Sequence, residues 1–441
     1  MSFISDPQTP DMSAHFACIL TIGDELLNGD VVNTNASWLG EALRSIGIPC
    51  KTMLTVGDRQ SDILQALDFC WKDHDLVVVT GGLGPTRDDI TKSALLIFFN
   101  DELICDEAVL DHVTDYFRQR GRPLSEENQR QADIPSRSQV LFNELGTAPG
   151  IFIEQDGKFL AAMPGVPYEL RHITEKRLLP ELEKLWRKSE RRVQQQYFRT
   201  TGIGESVLSD LIMEYSGIQL PESTDIAFLP HPRGVDIRIT RLNGAEDKLF
   251  DDFVGRVRQT AKEYIFSERY GITLAGTVVT HLFDRNMTAA VAESCTGGLL
   301  ADEITDTPGS SNCFNGGIVA YDNHLKSSLL GVPTNDLSRH GAVSGVVALA
   351  MAKNVGEIMN SDFGISTTGI AGPGGGTAEK PVGEVWIGFW ARSGTHFACR
   401  YRFTTERRVN KERTCAAAFD ILRRHLLDIP GVPHKPEVVF P

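Results

Sequence analysis

Three side chains in the stretch PGSSNCFNGGIVAYDNHLK, Pro308 to Lys326, are of the types that make a serine nucleophile with a lysine base: Ser311, Tyr321 and Lys326. A serine hydroxyl becomes a nucleophile when a base takes its proton, and a neutral lysine can do this directly or through a tyrosine. The apolar run Gly317 to Ala320 reads as a strand that folds the chain back between Ser311 and Tyr321, and a helix beginning near Asn323 places Lys326 about one turn from Tyr321. The demand on the lysine is severe. A free lysine titrates near 10.4, so neutrality at pH 7 needs a depression of roughly 3 units, about 4 kcal/mol of differential interaction. Burial or a nearby cation must supply it. The same residues also read as a turn, a packing tyrosine and a surface lysine, and spacing leaves both readings open.

A second serine lies in AESCTGG, Ala292 to Gly298, between an apolar strand and a helix. Ser294 or Thr296 can cap that helix or touch a phosphate, with Gly297 and Gly298 permitting close approach. Ser294 is also a candidate nucleophile, although the preceding glycine of a nucleophile elbow is missing and no triad histidine is assignable. Capping or ligand binding is the preferred reading of that loop.

Nearer the start, TGGLGPTRDD, Thr80 to Asp89, offers Gly81, Gly82 and Gly84 to an anion, then Pro85 and Thr86 before a helix whose first turn carries Asp88 and Asp89. Glycine backbone and a helix amino terminus favour phosphate, whereas the aspartates are either helix caps or ligands for a divalent ion. GIGE, Gly202 to Glu205, has its glycines two apart beside a carboxylate, unlike the basic GxxG loop of a nucleic-acid KH site. It reads as part of a spacer or dimer element.

The elements that must position these groups follow from apolar patterning. From Phe16, short apolar runs alternate with amphipathic stretches, the sign of an α/β domain with a mostly parallel sheet, whose ligands bind at the carboxyl ends of strands. Periodicity lapses around Leu185 to Gln196. GVDIRITRL, Gly234 to Leu242, then alternates as a half-buried strand within a small α+β module, and a second α/β pattern runs from about Thr273 to a closing helix, Arg407 to Leu427. The expected division is a disordered arm over 1–14, domains over 15–185, 196–266 and 270–430, and a tail over 431–441.

The composition is that of a soluble globular protein: 441 residues, 41% hydrophobic and 23% charged, exceed what one core supports. Eight cysteines form no CxxC pair, which argues against a zinc ribbon or disulfide scaffold and suits a cytoplasmic location. A net charge of −14 disfavours nucleic acid, and the dense basic run KLWRKSERR, Lys184 to Arg192, reads as a solvated helix end. No membrane partner is expected.

In combination, IGDELLNGDVVNTN, TGGLGPTRDDIT, NRQADIP, NELGTAPG and MPGVPYEL resemble the molybdopterin-binding-like domain of the CinA, competence/damage-inducible, family over Phe16 to about Arg171. RTTGIGES and DIRITRL resemble that family's KH-like domain. AESCTGG, TPGSS, GGIVAYDNHLK, GAVS, TTGIAGPGGG and KPVGEVWIGF resemble its carboxy-terminal domain, a nicotinamide mononucleotide amidohydrolase, from about Leu274 to Leu427.

The resemblance implies a bifunctional enzyme of pyridine-nucleotide salvage. One activity deamidates nicotinamide mononucleotide with Ser311, Tyr321 and Lys326 and needs no cofactor. AESCTGG and GIAGPGGG are then walls for ribose and phosphate, with Thr368, Gly369, Gly372 and Gly374 as contacts and Arg407 on phosphate. The family's Gly-Asp-Arg at the last helix is here Thr405, Glu406 and Arg407, so only the arginine is kept.

The other implied activity is metal-dependent hydrolysis of ADP-ribose to AMP and ribose 5-phosphate. It involves Gly23, Asp24, Glu25, Gly81 to Thr86, Asn128, Gln131 and Asn143, with Asp88 and Asp89 on Mg, Mn or Co. Glu25 stays open as ligand, water-orienting base or structural carboxylate. A homodimer is also implied. The alternative is a nucleotide-binding or assembly protein in which one or both activities are vestigial.

Overall fold

The computed structural model describes residues 15–84, 90–186, 194–214, 219–221, 224–241, 247–434 and 436–440. The expected amino-terminal arm lies outside them. The chain divides into two compact units, 1–194 and 195–441.

In the first unit, helices separate strands β1 (Ala17–Ile22), β2 (Cys50–Val56), β3 (Leu76–Thr80), β4 (Leu103–Cys105) and β5 (Asp133–Pro135), and β6 (Gln139–Leu141), β7 (Gly150–Gln155) and β8 (Lys158–Met163) follow β5 in succession. The main sheet has the order β2-β1-β3-β8-β7-β6, with β2, β1, β3 and β8 parallel and β7 and β6 antiparallel. ACILTI and LVVVT are wholly buried, as central parallel strands covered by helices on both faces must be. Apolar layers on the two faces confirm this. The two loops singled out in the sequence leave the adjacent carboxyl ends of β1 and β3.

The second unit opens with a small α+β module. Its strands are β9 (Gln194–Thr200), β10 (Thr224–His231), β11 (Gly234–Arg241) and β12 (Ile265–Ser267), in the order β10-β11-β9-β12. Helices Glu205–Met213 and Asp247–Thr260 supply the rest of its core, with Leu208, Ile212, Phe250 and Val257 packed on Phe198, Ile237 and Ile239.

A six-stranded sheet follows in the same unit: β13 (Ala289–Glu293), β14 (Phe314–Val319), β15 (Phe363–Gly369), β16 (Glu384–Ala391), β17 (His396–Arg402) and β18 (Val438–Phe440). Its order is β14-β13-β15-β16-β17-β18, parallel through β14, β13 and β15 and antiparallel beyond. The end of the chain is therefore not a tail: β18 pairs with β17, and Glu437 joins Arg400 and Arg402 across that edge.

Helix Arg407–Leu426 binds the small module to this sheet. Its fully buried Asp420 pairs with Arg423 and Arg424, and Arg423 donates to the carbonyl oxygens of Glu263 (2.7 Å) and Ile265 (3.4 Å). A buried carboxylate and guanidinium are tolerable because each has partners. Gly202 of the GIGE loop is closed in by the same contact, since a Cβ there would lie 2.9 Å from Asp420 Oδ2. That packing suits a spacer.

Candidate active sites

The register of the second unit's sheet decides which serine can meet the lysine. Ala289 of β13 lies beside Phe314 of β14, and Glu293 beside Val319, so Ser294 and Tyr321 leave the same, carboxyl end of the sheet. The Ser294 amide donates to the Thr367 carbonyl (2.8 Å), fixing it to β15 as well. Ser294, Cys295, Tyr321, Asn323, Lys326 and Arg407 line a cavity of about 200 Å³, walled further by Ala342, Val343, Thr368, Gly369 and Ala371.

Ser311 does not belong to this group. It lies in the 3₁₀ turn Ser310–Asn312 ahead of β14, exposed, at the amino end of the strand. The six residues of β14 run straight between Ser311 and Tyr321. At about 3.3 Å per residue they separate the two by roughly 20 Å. The expectation that the strand folds the chain back is corrected, because a strand carries its ends apart. Ser294 is the serine that shares a cavity with Tyr321 and Lys326.

Lys326 is buried, which is the condition that the sequence reading sets for a depressed lysine. It is 1% exposed on helix Asn323–Ser328, and its Nζ donates to the carbonyls of Ala320 (2.9 Å) and Tyr321 (3.2 Å). Burial pushes its pKa below the ordinary 10.5, against the smaller opposing effects of Asp322 and Cys295. A neutral amine can donate two hydrogens to those carbonyls and keep its lone pair for a serine proton. Cys295 is no rival nucleophile, since burial pushes its thiol up to about 12.

Arg407, first residue of helix Arg407–Leu426, donates to the Tyr321 hydroxyl (3.1 Å) and to the Gly372 carbonyl (3.0 Å). It thereby joins the exposed Tyr321 to the glycine-rich loop. Thr368 and Gly369 line the cavity, with Thr368 Oγ1 donating to Ala342, whereas Gly374 is exposed and away from it. Lys380, missed in the sequence, secures the opposite wall through the carbonyls of His340 (2.7 Å) and Val343 (2.8 Å).

The remainder of AESCTGG is structural. Thr296 is buried and bonded to Thr367 (2.7 Å). Gly297 and Gly298, at φ +61° and +97°, turn the chain so that the fully buried Glu293 carboxylate accepts from the amides of Gly298, Leu300 and Ala301. Neither Ser294 nor Thr296 caps that helix, and neither glycine faces the cavity. A phosphate at this amino terminus is excluded because Glu293 already occupies it. A glutamate at the end of β13, ahead of the glycine pair, was the available signal.

In the first unit, a cleft of about 480 Å³ opens at the ends of β1 and β3. Gly23, Glu25, Gly81, Gly82 and Gly84 line it, together with Asn33, Asn35, Asp58, Thr147 and Glu169, which sequence reasoning missed. Gly81 at φ +106° lies so close to the Ile22 carbonyl that a side chain has no room. Asp24 stands off the cleft, exchanging backbone–carboxylate hydrogen bonds with Asp58.

Asn128 and Gln131 also stand off it: Asn128 is half-buried and bonded to Ser125, and Gln131 is buried elsewhere. Asn143 is buried behind the wall and donates to Glu169 Oε2 (2.7 Å), so it acts through that carboxylate. Pro85, Thr86, Asp88 and Asp89 lie outside the described residues. Among the described residues no three His, Cys, Asp or Glu side chains converge to hold a metal ion, so the fit of a divalent ion rests on the two aspartates. Among them, too, no helix is long and apolar enough to cross a membrane.

Three family models match in series: "Probable molybdopterin binding domain" over 18–184, "Damage-inducible protein CinA KH domain" over 195–267 and "CinA C-terminal domain" over 272–426. A CinA-like protein of Dictyoglomus turgidum is 38% identical over 416 residues, covering 93% of this chain and 99% of the relative. Among solved structures, the protein CinA of Thermoplasma acidophilum is 34% identical, covering 39% of this chain and 98% of that one at a TM-score of 0.35. A competence/damage inducible protein of Agrobacterium tumefaciens is 39% identical, covering 35% of this chain and 93% of that one at a TM-score of 0.34. With near-complete alignment to a full-length relative and all three domain models in order, the chain belongs to the CinA family.

Proposed function

We propose that the second unit is an amidase that converts nicotinamide mononucleotide to nicotinic acid mononucleotide and ammonia, with Ser294 as its nucleophile. The observation that carries this is a buried lysine, pushed toward its neutral form, sharing a small cavity with a serine at a strand end. Lys326 takes the proton of Ser294 Oγ as that oxygen bonds to the carboxamide carbon. The tetrahedral intermediate then collapses, its C–N bond breaks, and the nitrogen leaves as ammonia with a proton returned by Lys326. Water, deprotonated by the same amine, hydrolyses the acyl-enzyme and frees Ser294. Tyr321, its hydroxyl accepting from Arg407, lines the same cavity. Incubation with the mononucleotide should release ammonia in step with the acid product; a preparation that releases none, beside an active control amidase, refutes the reading.

We propose further that the first unit hydrolyses ADP-ribose to AMP and ribose 5-phosphate. The glycine-lined cleft supports this, because Gly81 to Gly84 can approach a pyrophosphate closely. Asp88 and Asp89 would hold a divalent ion such as Mg, Mn or Co, which when bound neutralises phosphate charge. Glu25, folded back over Gly23, lies at the cleft's other lip. Chelator should stop this reaction and spare the amidase. We place both activities in a cytoplasmic homodimer, which light scattering of the purified chain tests.

A further inference from the structure

Of the three carboxylates that line the cleft of the first unit among the described residues, Glu169 is the one built in. Glu25 lies over Gly23, and Asp58 is bonded to the backbone of Asp24. Glu169 is buried at the start of helix Pro167–Ile173, where Asn143 Nδ2 donates to its Oε2 (2.7 Å). The orientation of that amide is fixed. Its Oδ1 accepts from the amides of Leu145 (3.1 Å) and Gly146 (3.0 Å), while Nδ2 also donates to Ala148. Gly146 in turn must be glycine, since a Cβ there would lie 2.7 Å from Glu169 Oε1. His112 holds the Gly146 carbonyl from behind (3.0 Å). Among the described residues no lysine, arginine or histidine pairs with Glu169, although its charge raises the phenol of neighbouring Tyr168.

A preorganised carboxylate without a cation repels phosphate and seeks donors. The glycines at Gly81 to Gly84 lie along the same cleft and suit the opposite charge pattern. We infer that Glu169 is a ribose-recognition residue, accepting hydrogen bonds from a vicinal diol of a ligand whose phosphates lie on the glycine loop, with Asn143 as its positioning residue. The ligand class is a nucleotide sugar or dinucleotide rather than a free pyrophosphate. This rests on the ADP-ribose reading of the cleft and adds to it the side chain that reads the sugar.

The test is calorimetric titration of the full-length chain, in chelator, with ADP-ribose and separately with inorganic pyrophosphate. Glu169→Ala should weaken ADP-ribose binding by roughly ten- to a hundredfold, the effect of losing a hydrogen bond to a charged group. Pyrophosphate affinity should stay level or rise as the repulsion is removed, and Glu169→Gln, which keeps one acceptor, should fall between. Unchanged ADP-ribose affinity in Glu169→Ala, or an equal loss of both ligands, overturns the inference. Cleavage is followed in parallel with metal: tight ADP-ribose binding without AMP formation sinks the pyrophosphatase reading and leaves the role of Glu169 standing.

Discussion

Lys326→Arg separates a buried base from a buried cation. The wild-type lysine is 1% exposed and its Nζ is bonded to two carbonyls, contacts a guanidinium can reproduce, but arginine does not lose its proton in proteins. At pH 7 an amine of ordinary pKa is neutral in only about 3 molecules in 10,000, and each unit of depression raises that fraction tenfold. Losing a positioned base should cost about 10² to 10⁴ in ammonia release. In the wild type, kcat/KM should climb with pH and level off below the ordinary lysine value of 10.5, because the active form is the deprotonated one.

The same depression has a thermodynamic sign. Between the lowered native pKa and 10.5 the unfolded chain binds the proton and the native chain does not, so stability rises with pH across that window and is lost as pH falls through the native pKa. Lys326→Met should remove this slope. Melting curves verify that each variant folds. A folded Lys326→Arg enzyme with more than about a tenth of wild-type activity, or a wild-type profile flat from pH 6 to 10, would refute the mechanism.

Asp420→Ala leaves Arg423 and Arg424 facing each other in the interior, and denaturant melts should show a loss of about 3 to 5 kcal/mol. Glu293→Gln replaces the acceptor of three amides in the loop that carries Ser294; kcat for ammonia release should fall well below wild type with KM changed much less, and an equal change in both would argue against a positioning role. Asp88→Ala should mimic chelator, stopping AMP formation from ADP-ribose while ammonia release continues; metal-insensitive cleavage contradicts the assignment.

The architecture was readable because its central strands, such as β1 and β3, are unbroken apolar runs and its helices carry clear starts, as at Asn323 and Arg407. The cavity was half readable. Tyr321 and Lys326 are five residues apart across one strand-to-helix turn, so chain spacing alone brings them together. Ser294 reaches them only through the parallel pairing of β13 with β14, a contact between residues far apart in sequence. Ser311, though nearer along the chain, is carried to the far end of the sheet by the intervening strand. In the first unit, the glycine loop was legible from its composition, but Glu169 was not. Its meaning depends on Asn143 and Gly146, which come from another part of the chain to surround it.

The most direct measurement is ammonia release from nicotinamide mononucleotide by Ser294→Ala and Ser311→Ala, each verified as folded, beside the wild type. The geometry predicts that Ser294→Ala releases none and that Ser311→Ala stays close to wild type. Loss of activity in Ser311→Ala with Ser294→Ala still active would contradict the account.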